Sequence, residues 1–266
     1  MERKIWLVNM GEIKIAILGL GEAGSRFAND LVKMGVSVIG YDPQIVHTLD
    51  NKIKLASSAL EAVKDVDIIF SVNLSSVSIG LAQELQTVLQ PNQFYCEMNT
   101  SGPQKKMKIA EILYLSGVKM IDLAIMAPVP QEGIFTPLLA AGAYVDDFLL
   151  KIKPLGLKIT GIENSKIGDA ATRKLLRSIV YKGIAAVICE AIEAGKSFGM
   201  ESYIRGQIVS LIGGNHELID RFVEGSKIHA KRRKEEMEAV IEMLEERGID
   251  PLVTKGTRDN LQKLIK

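Results

Sequence analysis

"KIAILGLGEAGSRFANDLVKMGVSVIGYDP" occupies residues 14–43. A short apolar run ends in three spaced glycines, Gly19, Gly21 and Gly24. A helix-prone stretch follows, and a second apolar run closes on Asp42. Three glycines in the spacing G-x-G-x-x-G, between a strand and a helix, have a mechanical meaning. The first permits the tight turn, the second lets the backbone approach a pyrophosphate, and the third lets the helix pack close to the strand. Backbone N–H groups at the helix start, helped by the helix dipole, then meet the phosphate charge. An acid at the end of the second strand stands where it accepts hydrogen bonds from the adenosine ribose hydroxyls. A glycine turn with Asp42 as a turn residue is the bland alternative, but here strand, turn, helix, strand and acid are all in register.

The segment therefore predicts a dinucleotide site. Gly19, Leu20, Gly21, Glu22, Ala23 and Gly24 surround the pyrophosphate, Asp42 reads the ribose, and Val72 and Asn73 at the end of a later strand complete the cofactor contacts. Asp42 would repel a 2′-phosphate, and no arginine follows it in "YDPQIVH". NAD is expected, with NADP the lesser alternative.

Outward from this segment the chain alternates by type. Strand-like runs occur at 13–18, 37–41, 67–72, 93–97 and 118–125. Helix-prone stretches lie at 22–34, 60–63, 76–89 and 105–116. Such alternation implies βαβ units and a mainly parallel sheet. "TPLLAAGA" and "LGLKITGIE" read as two further strands around a short helix near 145–152. After about residue 165 the pattern becomes helical. One long helix spans 168–198, with Leu175, Ile179, Ile184, Val187, Ile188 and Ile192 at helical spacing, and further helices lie at 203–212, 217–223, 228–247 and 257–265. The fold class expected is α/β: a Rossmann-type doubly wound parallel sheet over 1–163, then an all-helical domain over 164–266 for substrate binding and dimerisation.

Composition agrees with an ordinary globular chain. Of 266 residues, 47% are hydrophobic and 24% charged, and 33 basic residues nearly cancel 32 acidic ones. No global field attracts nucleic acid or an anionic membrane. Cys96 and Cys189 lack zinc-site spacing and read as buried reduced thiols, and His47, His216 and His229 share no metal spacing. No metal is expected. "MERKIWLVNMGEIK" has no apolar stretch suited to a signal peptide or a membrane span, so the protein is expected to be cytoplasmic, and Met10 is an alternative start. The run Lys231–Lys234 followed by Glu235, Glu236 and Glu238 reads as a solvated helical face with i,i+4 pairs. "IGGNHELID" suggests a helix break at Gly213-Gly214, with His216 near a cleft.

At four places the chain resembles the β-hydroxyacid dehydrogenase superfamily. More closely, it is similar to a branch of 6-phosphogluconate-dehydrogenase-like NAD-binding proteins with their own C-terminal helical domain. The first place is "ILGLGEAGS" with Asp42. The second is "EMNTSGP", 97–103, where the resemblance implies a loop lining nicotinamide and substrate, with Asn99, Thr100 and Ser101 as short polar groups at a strand's carboxyl end. A helix cap before Pro103 is the structural alternative. The third is "IDLAIMAPVPQEG", 121–133. Asp122 and Ala127–Val129 match the superfamily loop loosely, but its Ser-Gly-Gly is replaced by Pro130, Gln131 and Glu132, which puts the usual hydroxyacid in doubt.

The fourth is "GDAATRKLLRSIVYKG", 168–183. The resemblance places the catalytic lysine at Lys174, with Ser178 where the superfamily has asparagine. Lys182 lies on nearly the same helical face and is expected to contact the substrate. A lysine beside a second cation in an interdomain cleft has a lowered pKa, which suits it to take or give the hydroxyl proton as hydride moves. The activity implied is an NAD(P)-dependent oxidoreductase acting on a small hydroxy acid, with phosphorylated substrates and a following decarboxylation within its range. A cyclic imine reductase similar to pyrroline-5-carboxylate reductase, and a non-catalytic nucleotide-binding sensor or assembly subunit, are the alternatives. The partners expected are a small-molecule substrate and a second copy of the chain.

The acid at position 42 generates a first prediction. NADH should bind at least about tenfold tighter than NADPH, a gap of about 1.4 kcal/mol. Equal or reversed affinities in a fluorescence titration would remove Asp42 from the ribose.

Overall fold

Strands of a sheet covered on both sides are apolar on both faces, and residues 14–18 obey this rule. A computed structural model describes residues 13–213 and 215–265. Residues 1–12, with the alternative start Met10, together with Gly214 and Lys266, lie outside the described residues. In β1 (Lys14–Leu18), Ile15 and Ile17 enter one core with Phe27 and Leu31, while Ala16 and Leu18 enter a second core with Ile109 and Leu113. The helix α1 (Glu22–Lys33) buries Gly24, Phe27, Ala28 and Leu31 at three- and four-residue spacing. Its terminal charges, Glu22 and Lys33, complement the helix dipole.

The first unit continues with β2 (Ser37–Tyr41), β3 (Lys54–Leu55), α2 (Ala59–Ala62), β4 (Ile68–Ser71), α3 (Ser78–Leu85) and β5 (Phe94–Glu97). It goes on through α4 (Pro103–Leu113), β6 (Lys119–Ile125), α5 (Val129–Glu132), β7 (Leu138–Ala141), α6 (Val145–Ile152) and β8 (Ile159–Gly161). The sheet order is β3-β2-β1-β4-β5-β6-β7-β8. Every neighbouring pair is parallel except β6 with β7. The chain thus starts in the middle, winds out to β3, and returns to β4. Between β1 and β4 the order reverses, and open sheets of this kind bind ligands outside the carboxyl ends at that switch point. The fold is the expected α/β architecture, a Rossmann-type sheet followed by helices.

The strand β3 escaped the sequence reading because it has two residues, both exposed. The proline-rich stretch expected as a loop contains the short helix α5, with Pro128 at its N-cap.

Compact packing divides the chain between Thr172 and Arg173, inside α7 (Asp169–Ser197). The second unit adds α8 (Glu201–Leu211), α9 (His216–Ile228), α10 (Ala230–Glu245) and α11 (Leu252–Lys263). Along α7, Leu175 packs with Met237, Val240 and Met243 of α10 and Leu261 of α11. Further on, Ala185, Ile188 and Ile192 pack with Ile219, Phe222 and Val223 of α9. Helix α9 runs five residues past the expected end, and α11 starts five residues before its expected start. Tertiary packing extends both over short stretches that carry little periodic signal. No helix among the described residues is long and apolar enough to cross a membrane.

Candidate active site

The glycine loop leaves the carboxyl end of β1. Gly19 has φ of +100°, and a Cβ there would lie 2.5 Å from the Val72 carbonyl oxygen, so the turn excludes any side chain. A Cβ on Gly24 would overlap the Gly19 carbonyl oxygen, which fixes the close approach of helix to strand. Gly21 differs from both. Among the described residues a Cβ there meets no atom within 4 Å, and its φ is an ordinary −66°. None of them requires glycine at this position, whereas close approach of a pyrophosphate does. Gly21 is also the N-cap of α1 and offers no side-chain cap, so the first N–H groups of the helix remain available to an anion. The dinucleotide fits this cradle. Leu20 and Glu22 contribute backbone there, since the Leu20 side chain is buried in the core and that of Glu22 is exposed.

Asp42 follows β2 and fastens the loop. Its Oδ2 accepts the Leu20 N–H at 2.7 Å and its Oδ1 accepts the Gln44 N–H at 2.8 Å. Each carboxylate oxygen retains acceptor capacity for a ribose hydroxyl. On the other side of β1, Val72 follows β4 and donates its N–H to the Leu18 carbonyl at 2.8 Å.

Beyond the switch point, the ends of β4 and β5 carry a directed hydrogen-bond chain. Asn73 Nδ2 donates to Ser71 Oγ at 3.1 Å, and Asn99 Nδ2 donates to Asn73 Oδ1 at 2.9 Å and to Glu97 Oε1 at 2.5 Å. Glu97, Lys106 and Asp122 form a buried ionic cluster beneath it. Lys106 Nζ pairs with Glu97 Oε2, reaches Asp122 Oδ1 at 3.3 Å, and donates to the Glu97 carbonyl at 2.8 Å. Asp122 Oδ2 in turn accepts the N–H groups of Gly168 and Ala171 at 3.1 and 3.0 Å, capping the first turn of α7. Burial opposes the Lys106 charge, but Glu97 and Asp122 outweigh it and hold the lysine protonated, above its usual range. Burial, aided by the Asp122 charge, pushes the Glu97 carboxyl up against the pull of Lys106.

The sequence reading missed Lys106. A lysine one turn into a surface-type helix looks solvated, and only the facing strand ends reveal two carboxylates beneath it. Asn99 and Ser101 are buried, and Thr100 is half-buried beside them.

In the second unit the structure joins two expected residues, Ser178 and Lys182, and adds a third. Ser178 Oγ donates to Glu236 Oε1, and Lys182 Nζ donates to the same oxygen at 2.6 Å and to Ser178 Oγ at 3.1 Å. Lys182 is therefore a paired, buried cation. Burial would raise the Glu236 pKa, but the charges of Lys182 and Lys174 and the bonds from Lys182 and Ser178 pull it down to about 2. Burial lowers the Lys182 pKa against the opposing pull of Glu236.

This corrects the solvated reading of the basic–acidic run. Lys234 and Glu238 do form an i,i+4 pair at 3.1 Å, but Arg233 and Glu236 are buried, Arg233 donating to Ser226 Oγ at 2.8 Å. Charge pattern alone could not separate the inward members, because the large apolar residues of that face, Met237, Val240, Ile241 and Met243, come only after the charged run. One further expectation changes: Cys189 is half-buried, unlike Cys96. His216 is the exposed first residue of α9. Of the expected helix break, Gly213 is left-handed at φ +71°, while Gly214 lies outside the described residues.

Together, the sheet and its loop define an NAD(P)-binding domain. Residues 14–129 match the family described as the NAD binding domain of 6-phosphogluconate dehydrogenase, and residues 196–264 match a domain of unknown function, DUF1932. The chain is 24% identical over 252 residues to an uncharacterized 28.5 kDa protein of Methanothermus fervidus, covering 93% of this chain and 97% of that one. It is 22% identical over 235 residues to 2-(hydroxymethyl)glutarate dehydrogenase of Eubacterium barkeri, covering 80% and 73%. The structure of Mycobacterium tuberculosis 3-hydroxyisobutyrate dehydrogenase superposes with a TM-score of 0.75 at 16% identity, covering 94% and 93%. The chain thus joins an NAD-binding domain of the 6-phosphogluconate dehydrogenase type to a DUF1932 domain, and these likenesses match the β-hydroxyacid dehydrogenase superfamily.

Two predictions come from this geometry. Gly21→Val should cost no more than about 1 kcal/mol of stability, the loss of a good N-cap residue, because no described residue comes within 4 Å of a Cβ there, yet weaken NADH binding by roughly a hundredfold or more by filling the pyrophosphate position. Calorimetry and a binding titration on one sample check both halves.

The second concerns pH. The Glu236 pKa is depressed in the folded state, so its contribution to stability is present above its unfolded value. That contribution is lost as pH falls toward about 2. A fall of this size corresponds to about 3 kcal/mol at neutral pH. Glu236→Gln should lower stability at pH 7 and flatten the acid limb of a urea-denaturation series between about pH 5 and 2.

Proposed function

We propose that the protein is an NAD-dependent oxidoreductase that moves a hydride between the nicotinamide and a small hydroxy acid, with Lys174 as acid/base. The observation that carries the reading is Gly21, a position where the protein's own packing tolerates a side chain and dinucleotide binding does not. The bound nicotinamide supplies the hydride acceptor or donor. This chain's residues would do the rest. The glycine loop and the first turn of α1 hold the pyrophosphate, and Asp42 holds the ribose and disfavours a 2′-phosphate. Asn99, Thr100 and Ser101 line the reacting end.

Lys174 takes the hydroxyl proton during oxidation and returns it during reduction. It lies three residues after Ala171, whose N–H is held by Asp122, and its charge is felt by Glu236. Ser178 and Lys182 act through Glu236, which both of them bind. The relative named for 2-(hydroxymethyl)glutarate makes that compound a first member of the test panel.

Lys174→Met should leave NADH affinity and fold intact while turnover falls by roughly 10² to 10⁴, the share of a positioned proton-transfer group. Arginine at this position should rescue little, because it keeps its proton near neutral pH. A Lys174→Met enzyme with wild-type kcat on the best hydroxy acid of the panel would place the chemistry elsewhere.

We also propose a homodimer built on α7. Within this helix Ala185, Ile188 and Ile192 pack inward against α9. The stripe left outside is Leu176, Val180, Ile184 and Val187, exposed by 47%, 62%, 43% and 67% and spaced along one side of the helix. A self-complementary contact on it should bury on the order of 2,000 Å² or more. Sedimentation should show a dimer at micromolar concentration, and Val180→Asp with Val187→Asp should give a folded monomer. A monomeric wild type would remove this interface.

A further inference from the structure

Two carboxylates and one ammonium are buried together at the carboxyl edge of the sheet, and the proposed chemistry uses none of them. The side chain of Lys106 is exposed by 1%, and those of Glu97 and Asp122 by 0%. Replacing a buried ionic group of this kind by apolar residues often costs no stability, so what it supplies is geometry. The outlet of that geometry is Asp122. One of its oxygens faces the Lys106 ammonium at 3.3 Å, and the other accepts the N–H groups of Gly168 and Ala171 at 3.1 and 3.0 Å.

Helix α7 does not need Asp122 in order to begin. Its start is fastened locally, with Asp169 Oδ2 accepting the Lys166 N–H at 2.9 Å and Thr172 Oγ1 donating to the Gly168 carbonyl at 2.7 Å. Local bonds of this kind decide where along the chain a helix starts, not where on the sheet it rests. Residues from elsewhere make that second choice. Asp122 comes from β6, 46 and 49 residues before the N–H groups it holds. Gly168 has φ of +100°, and a Cβ there would lie 3.0 Å from Pro103 Cβ, so the turn is seated on the first residue of α4. Ala170 is buried in a small cluster with Ala124 and Ala141. Lys106, also on α4, fixes which way the Asp122 carboxylate faces.

Lys174 stands on the next turn of the same helix. A slip of one residue in the bonds at Gly168 and Ala171 would carry it about 1.5 Å along the axis and swing it by about 100°. A misplacement of about 1 Å at a reacting group costs about a hundredfold in rate. We propose that Asp122 is a positioning residue for Lys174, its two bonds to the first turn of α7 setting where the lysine meets the substrate hydroxyl, and that Lys106 serves by orienting the Asp122 carboxylate. This rests on Lys174 being the acid/base of the proposed function.

The test uses the full-length protein and reads single-turnover hydride transfer to NAD from the hydroxy acid of the panel that the wild type oxidises fastest. NADH affinity and hydrogen exchange over residues 166–174 are read on the same samples. Two double variants differ at the bonds in question. Lys106→Met with Asp122→Asn keeps an oxygen for Gly168 and Ala171, whereas Lys106→Met with Asp122→Leu keeps the volume and removes that oxygen. Neither strands an ammonium, and Glu97, whose carboxyl burial already pushes up, is left to take a proton. Both should bind NADH within about twofold of wild type. The first should keep hydride transfer within about threefold, and the second should lose roughly tenfold to a hundredfold and exchange faster over 166–174. Added to Lys174→Met, the second pair should cause no further loss, because residues that act as a unit are not additive. Asp122→Ala, which leaves Lys106 paired with Glu97, gives the same comparison by a second route should the leucine pair not fold.

Equal hydride transfer in the two pairs overturns the inference and leaves Lys174 standing. So does unchanged exchange in the leucine pair, or a loss of the same factor with and without Lys174, which is what a merely structural residue would give. Lys174→Met at the wild-type rate overturns the reading beneath, as does a wild type that oxidises no member of the panel, and the inference falls with it.

Discussion

Lys106 is a fully buried ammonium at the carboxyl edge of the sheet, and several elements converge on it. Glu97 ends β5, Asp122 lies in β6, Lys106 itself is on α4, and Asp122 passes the charge on to the first turn of α7. Both carboxyl groups face the one ammonium, and Asp122 in turn accepts the N–H groups of Gly168 and Ala171. Pairs of this kind add little net stability, since desolvation offsets most of the attraction, but removing one partner strands a charge and costs several kcal/mol. Their effect is to make one arrangement of these four elements far better than its neighbours. The Glu97 oxygen that holds the Asn99 amide is positioned as part of the same cluster.

The glycine loop shows how packing and ligand binding divide the work within one motif. Gly19 and Gly24 are dictated by protein atoms, one by a left-handed turn against Val72 and the other by contact with the Gly19 carbonyl. Gly21 answers only to what approaches from outside. Asp42 belongs to both accounts, because it fastens Leu20 to the end of β2 while keeping lone pairs for a ribose. The site is held in shape by bonds that do not consume the groups it needs.

The second unit relies on one helix facing several ways. Along α7, Leu175 serves one small core, Ile188 and Ile192 serve another, and Ser178 and Lys182 meet the buried Glu236. The stripe from Leu176 to Val187 faces solvent. A helix apolar on so many sides has no single amphipathic face, so its periodicity announced a helix without saying which side is covered.

The sequence by itself determined the alternation of strands and helices, the glycine turn with its acid, and the change to an all-helical second unit. Each of these is a local signal: a period of two or 3.6, a residue that alone tolerates a backbone angle, an acid a fixed distance beyond a turn. It also singled out Asn99, Ser101, Ser178 and Lys182 as residues worth attention. Only the tertiary structure decided what faces them. Lys106 and Glu236 sit in stretches whose charge pattern reads as solvent-exposed, and they become functional candidates because carboxylates, a hydroxyl and an ammonium 9 to 58 residues away arrive beside them. A buried charge is defined by what excludes water from it, and that is a property of contacts made across the chain, which no local run of residues can carry.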